Sequence, residues 1–200
     1  MRTAHGILGS LASALLLALG GDATGGPLDT PGATKALMCS ACHGFEGNSP
    51  SDTMPIIAGM APAYFKKAIG DYAAGRRPSP EMEPYAKMTL HFGVDDIAAF
   101  FAAQRRQPTP IKVDASAAAR GKAAVAQCVA CHGPEGKGDP ARLIPDLTGQ
   151  PPGYLRNQML LFKSEQRSPV DEALKAQKAI MRTIPDQTLA DLAAYYSSLR

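Results

Sequence analysis

Two short cysteine–histidine motifs carry the residues best suited to chemistry in this 200-residue chain. Residues 39–43 read Cys-Ser-Ala-Cys-His, and residues 128–132 read Cys-Val-Ala-Cys-His. Two thiols about one helical turn apart can reach the two vinyl groups of one haem, and the adjacent histidine can then bind the iron. The pattern therefore predicts two covalently attached haems. The attachment residues are Cys39, Cys42, Cys128 and Cys131, and the iron ligands are His43 and His132.

Three other uses of two Cys-x-x-Cys pairs compete with haem attachment. A thioredoxin-like dithiol needs a βαβ context, which the helical pattern of this chain lacks. A zinc site with four thiolates could join both pairs, but it would leave both histidines unused. Two ordinary disulfides can form in an exported protein. Haem attachment is favoured because it uses both cysteines and the histidine of each motif.

The two motifs belong to a longer internal repeat. They lie 89 positions apart, and residues 59–77 match residues 149–167 at a separation of 90. Residues 96–101 then match residues 191–196 at a separation of 95. Matches in the same order with small changes in spacing indicate a duplicated unit with insertions in its loops.

A polar segment containing Pro108 and Pro110 separates the two copies, and proline favours extended backbone there. We therefore predict a linker at 105–113 between domains at 27–104 and 114–200. Each copy has helical periodicity, and strand signals are nearly absent. Domains of about 80 residues have small cores, and the chain has no tryptophan. The prediction is an all-α fold of two tandem domains, each wrapped around one haem.

The N-terminus has the features of a signal peptide. Arg2 and His5 precede an apolar run at 7–19, and small residues follow that run. A membrane-spanning helix needs about 20 apolar residues, so this run is short for one. We predict a cleavable signal at 1–23 and a periplasmic protein, with an uncleaved anchor as the alternative.

The charge of the chain argues against nucleic acid as a partner. The formal net charge is +3, but the propionates of two haems would offset about four positive charges. The chain also lacks a basic run with interleaved aromatic residues. Residues 23–103 carry six basic and eight acidic side chains, whereas residues 104–200 carry fourteen and nine. This asymmetry could orient a docking partner.

Residues around the motifs resemble those of known di-haem proteins. Residues 39–49 read Cys-Ser-Ala-Cys-His-Gly-Phe-Glu-Gly-Asn-Ser, and a tyrosine-led helix follows a glycine at 59 and again at 149. The pattern resembles the di-haem cytochromes c4. It is equally similar to the di-haem cytochrome subunit of flavocytochrome c sulfide dehydrogenase. Residues 82–87 and 100–108 resemble that subunit more than the cytochromes c4. The resemblance covers nearly the whole mature chain and implies two class I cytochrome c domains.

The resemblance also implies a methionine as the second axial ligand of each iron. Met82 stands fourteen residues before the aspartate of the repeated segment, as in the resembling families, and Met88 is the alternative. In the second domain Met159 lies on an apolar helix face, which leaves Met181. Met181 precedes the matching aspartate by only ten residues, so its ligand loop must be shorter.

Further residues could support each haem. In the resembling families a proline carbonyl about a dozen residues after the ligand histidine accepts its ring N–H, which indicates Pro55 and Pro145 here. Arg76, Arg77 and Arg167 could reach propionates, although plain solvated charge explains them equally well.

An iron with all six positions filled has no site for a substrate, so we expect an electron carrier rather than an enzyme. The leading hypothesis is a c4-like carrier of single electrons between redox proteins, such as a respiratory chain complex or a terminal oxidase. Contact with the membrane surface would come through such a partner. The alternative is an electron-accepting subunit bound to the flavoprotein of a sulfide dehydrogenase. A third hypothesis, a catalytic haem without methionine, rests on the short spacing at Met181.

Overall fold

The computed structural model describes residues 29–167 and 172–200, so the predicted signal peptide at 1–23 lies outside the described residues. Apart from one isolated bridge between Asp139 and Ile144, the described residues contain no β-structure, and the all-α prediction is confirmed. The helices are α1 (Ala33–His43), α2 (Pro62–Ala73), α3 (Met82–Phe92), α4 (Val94–Ala103), α5 (Ala115–Ala124), α6 (Ala126–His132), α7 (Pro152–Lys163), α8 (Glu172–Thr183) and α9 (Asp186–Ser198), with a short 3-10 turn at Pro140–Arg142.

Proline and glycine set the ends of equivalent helices in the two copies. Pro62 opens α2 and Pro152 opens α7, at a position where the missing N–H would have had no helical partner. Helices α1 and α6 stop at Gly44 and Gly133, whose φ angles are 77° and 72°. Glycine adopts this left-handed backbone without steric cost. Each cysteine motif therefore ends its helix at the histidine.

In each copy the first helix crosses the last at a glycine. A Cβ atom added to Gly32 would collide with the backbone oxygen of Asp96, and one added to Gly121 would collide with that of Asp191. The aspartate side chains then tie the crossing together. Arg120 donates from Nε and Nη2 to the two carboxylate oxygens of Asp191, both at 2.8 Å, and a lysine of α1 pairs with Asp96.

Helices α2 and α9 each bury an apolar face. Leu189 and Leu192 of α9 are 0% and 1% exposed. On α2 the buried face includes Tyr64, Ala68, Ile69 and Tyr72. Fifteen hydrophobic residues are buried in the described part of the first copy, against seven in that of the second. The second copy therefore has the greater need of a group that fills its interior.

The segment between α4 and α5 has no helix, yet it is bonded to both copies. Asn48 donates from Nδ2 to a backbone carbonyl of this segment at 3.0 Å. Arg106 donates from Nη2 to the Thr148 carbonyl at 2.6 Å, and the Thr109 N–H donates to the Gly149 carbonyl at 2.8 Å. The segment is held against both copies and is not a free tether.

A buried glutamine joins the two copies directly. Gln150, which is 4% exposed, accepts the Ile56 N–H at 2.9 Å and donates to the Ile56 carbonyl at 2.7 Å. Beside it, Asp52 accepts the backbone N–H of Gly153 through its carboxylate at 2.8 Å. Its own carbonyl accepts the N–H of Tyr154 at 2.9 Å. The two copies therefore pack against each other through specific polar contacts.

We expect the Gln150→Ala substitution to lower the free energy of unfolding by about 2 to 4 kcal/mol. It leaves a buried N–H and a buried carbonyl of Ile56 without partners, and each such loss costs about 1 to 3 kcal/mol. Denaturant unfolding of the haem-loaded protein measures the change. The exposed Gln107→Ala serves as the matched control and should stay within about 0.5 kcal/mol of the original protein. Equal losses in both variants would contradict this role of Gln150.

Candidate haem sites

The first cavity lies between α1, α2 and α3. Helix α1 contributes Cys39, Cys42 and His43 to its wall, and α3 contributes Met82. The buried face of α2 closes one side with five residues: Tyr64, Phe65, Ala68, Ile69 and Tyr72. The four residues predicted to hold the first haem therefore line one largely apolar space.

The second cavity repeats this arrangement in the second copy. Cys128, Cys131 and His132 of α6 lie on its wall, together with Met181 from the last turn of α8. Met159 of α7 lies on the same wall while also packing against the small second core, so the sequence analysis was right to place it in the interior. The four predicted residues again share one space.

Each motif histidine is held in the form that a metal ligand requires. His43 Nδ1 lies 2.8 Å from the Pro55 carbonyl, and His132 Nδ1 lies 3.1 Å from the Pro145 carbonyl. A carbonyl can only accept, so Nδ1 carries the proton and Nε2 keeps its lone pair. Burial lowers the pKa of both imidazoles, and the carbonyls offset part of that shift. The predicted proline contacts are confirmed.

The cysteines do not fit the competing interpretations. All four are unpaired, and the two pairs line separate cavities, so they do not form one zinc site. Burial, with the nearby Cys42, raises the pKa of Cys39 to about 11, and burial also raises the pKa of Cys128. A redox-active dithiol needs a lowered thiol pKa. Each pair is therefore available to one haem.

The two candidate methionines of the first copy lie in different surroundings. Met82 is the first residue of α3, and its N–H donates to Ser79 Oγ at 3.2 Å. Met88 is 43% exposed and is absent from the cavity wall. Met181 sits at the opposite end of the matching helix, in the last turn of α8. This difference accounts for the shorter distance from Met181 to the repeated aspartate.

A polar cluster that the sequence analysis did not foresee lies where the two cavities meet. Tyr64 and Tyr154, which are counterparts in the repeat, line both cavities. Each binds the arginine of the opposite copy: Arg77 donates to Tyr154 Oη at 2.6 Å, and Arg167 donates to Tyr64 Oη at 3.3 Å. Gln158 Oε1 accepts from both arginines, at 2.9 and 2.7 Å. Each copy therefore donates an arginine hydrogen bond to the equivalent tyrosine of the other copy.

This cluster is positively charged and buried. Arg77 and Arg167 are 2% and 8% exposed, and within residues 29–167 and 172–200 neither pairs with a carboxylate. Burial raises the pKa of Tyr64, but the two arginines lower it to about 8. Buried guanidiniums require a counter-charge, and each of these lines one cavity. Haem propionates would supply that charge, so the cavities fit the group.

Arg76, the third arginine considered for propionates, lies elsewhere. Its side chain is 51% exposed and pairs through Nε with Asp71 at 2.9 Å, and it is absent from both cavity walls. Of the three arginines, Arg77 and Arg167 are the two in position to meet a haem. The sequence analysis treated all three alike, although Arg77 and Arg167 are counterparts 90 residues apart in the repeat and Arg76 lies outside that pair.

The comparisons with known proteins agree with this geometry. The cytochrome c family model matches residues 118–200. Cytochrome c4 of Pseudomonas aeruginosa is 30% identical over 177 residues, which cover 84% of this chain and 87% of the relative. The thiosulfate dehydrogenase electron acceptor of Stutzerimonas stutzeri is 30% identical over 212 residues, covering 100% of this chain and 97% of the relative.

A further relative and a crystal structure complete the comparison. The cytochrome subunit of sulfide dehydrogenase from Chlorobaculum tepidum is 38% identical over 100 residues, covering 45% of this chain and 90% of the relative. The crystal structure of reduced cytochrome c4 from Pseudomonas stutzeri superposes with a TM-score of 0.76 at 26% identity, covering 84% of this chain and 97% of that one. This chain therefore belongs to the cytochrome c4 family: it is an electron-transfer cytochrome of two tandem class I domains with two covalently bound haem c groups.

Proposed function

We propose that this cytochrome is a periplasmic carrier that takes single electrons from a separate dehydrogenase and passes them to a respiratory acceptor. Each bound haem would supply an iron that gains and loses one electron. Cys39 and Cys42 would attach the first haem, and His43 and Met82 would bind its iron. The residues of the second site are Cys128, Cys131, His132 and Met181.

The observation that carries this proposal is the shared wall between the cavities. Met60, Tyr64 and Tyr154 line both, so groups bound in the two cavities would be neighbours inside one chain. Arg77 and Arg167 would hold propionates at that boundary, each anchored to a tyrosine of the other domain. An electron received at one site could then pass to the second without leaving the protein.

Export and domain boundaries belong to the same proposal. A signal peptide at 1–23 would direct the chain to the periplasm. Among residues 29–167 and 172–200 there is no helix long and apolar enough to cross a membrane. The proposed mature protein has domains at 27–104 and 114–200, joined by the segment at 105–113.

The proposed electron donor is a dehydrogenase of reduced sulfur compounds. The relative aligned along the whole of this chain is named as the electron acceptor of a thiosulfate dehydrogenase. The sulfide dehydrogenase subunit aligns with only 45% of this chain, which favours the free carrier over a flavoprotein subunit. With all six positions of both irons filled, the cytochrome would not be an enzyme by itself.

We expect the native protein to elute as a free chain in size-exclusion chromatography at low and high salt. A carrier docks through a small polar patch, so its rate of reduction by a thiosulfate dehydrogenase should fall as ionic strength rises. A stable subunit would instead bury a larger apolar surface, commonly above about 2,000 Å². Stopped-flow reduction across a salt series measures the docking. Co-elution with a flavin-containing chain at high salt would contradict the carrier proposal and favour the sulfide dehydrogenase subunit.

A further inference from the structure

Phe101 and Tyr196 occupy the same place in the two domains. They are counterparts in the repeat, and their carbonyls accept equivalent backbone N–H groups, from Gly59 at 2.8 Å and from Gly149 at 2.9 Å. Both are buried, at 0% and 2% exposure. The hydroxyl of Tyr196 is therefore a polar group that the second domain has and the first domain lacks.

The Tyr196 hydroxyl is buried without a hydrogen-bond partner in the described part of the chain. Its ring lines the second cavity and lies 6.4 Å from the His132 ring, measured between centroids. Cys128 packs against the small core cluster that contains Tyr196, lines the same cavity, and interacts with the Tyr196 hydroxyl. A buried hydroxyl without a partner is costly, and such groups in native proteins call for an explanation.

We propose that the Tyr196 hydroxyl donates a hydrogen bond to the thioether sulfur of Cys128 and so raises the reduction potential of the second haem relative to the first. This inference rests on the proposed attachment of that haem to Cys128. A thioether sulfur has no proton and can only accept, so attachment makes the phenol the donor. The positive end of the O–H dipole would then lie at the sulfur that attaches the haem and would favour the electron-rich, reduced state.

The first domain provides the internal comparison. Phe101 packs in the core cluster that Cys39 borders, but it has no donor to offer. Both sites otherwise have the same cysteine pair and the same proline carbonyl on the histidine. Tyr196 would thus act on the second haem through Cys128 and make the reduction potentials of two similar sites differ. An electron shared between the haems would then be found mainly on the second.

Potentiometric titration of Tyr196→Phe tests the inference. We expect the equilibrium constant for reduction of the second haem to fall roughly three- to tenfold. A tenfold change corresponds to about 59 mV for one electron. The first haem should be unaffected. The neighbouring Tyr195, which is half-buried and absent from the cavity wall, provides the matched control as Tyr195→Phe. Each variant is also combined with Met82→His, which should lower the reduction potential of the first haem. The potential that falls in the combined variant identifies the first haem, and the other belongs to the second.

The outcomes separate this inference from the proposed attachment. Mass spectrometry counts the attached haems first, and fewer than two in the original protein would contradict the attachment itself. With two haems present, three results in Tyr196→Phe would overturn the role of Tyr196. These are an unchanged potential of the second haem, a raised potential of the second haem, and an equal shift of both potentials. A measurement without any variant is the resonance Raman C–S stretch of the thioethers. One such band should shift when the protein is unfolded and refolded in deuterated water, and a spectrum with no shift would also overturn the role.

Discussion

The Cys128→Ala/Cys131→Ala double variant should lose one of the two covalently bound haems and the folded second domain with it. Removal of both thiols leaves nothing to form a thioether, so haem no longer survives denaturation at that site. Only seven hydrophobic residues are buried in the described part of this domain, about half as many as in the first, and small domains without a filled interior are marginal. We expect half the haem content by mass and absorbance, and a clear loss of helix by circular dichroism.

The matching Cys39→Ala/Cys42→Ala variant separates attachment from folding. It should also drop to one haem, but the first domain has a larger core and should lose less helix. The Ser40→Ala substitution within the same motif is the control and should keep both haems. Two haems retained after boiling in either double variant would contradict covalent attachment through these cysteines.

The Met82→His variant should show one reduction potential lowered by a few tenths of a volt. Axial ligands set haem potentials over a range of about 0.8 V, and a thioether gives a higher potential than a second imidazole. The near-infrared band from sulfur-to-iron charge transfer should weaken by half in the oxidised protein, because one of the two proposed methionine ligands is replaced. Potentiometry and near-infrared absorption measure the two effects independently.

The Met88→His variant is the matched control. Met88 lies six residues after Met82 in the same helix, but it is exposed and absent from the cavity wall. Its potentials and its near-infrared band should match those of the original protein. If a reduction potential changed in Met88→His and did not change in Met82→His, Met88 rather than Met82 would be the ligand of the first iron. The equivalent Met181→His substitution should move the other potential, and no effect there would favour an iron without methionine in the second domain.

Much of each site follows from local sequence. A Cys-x-x-Cys-His motif places its thiols and imidazole within one and a half helical turns, so their proximity depends only on the helix repeat. The glycine that follows each histidine ends that helix, and the helical periodicity of α2 and α9 predicts their buried faces. Matching residues of the two copies lie 89 to 95 positions apart, so the sequence also predicts that the second site repeats the first.

Other features depend on how distant segments pack. Whether Met82 or Met88 faces the haem depends on where α3 begins relative to α1, which composition and periodicity leave open. Arg77 and Arg167 each bind a tyrosine of the other domain. The sequence separation is 77 positions for Arg77 and Tyr154, and 103 positions for Arg167 and Tyr64. Each arginine could equally have served its own domain, and only the docking of the two copies decides the partner. The unpartnered hydroxyl of Tyr196 is likewise visible only once its neighbours are in place, because hydrogen bonding depends on distance and angle rather than on residue type.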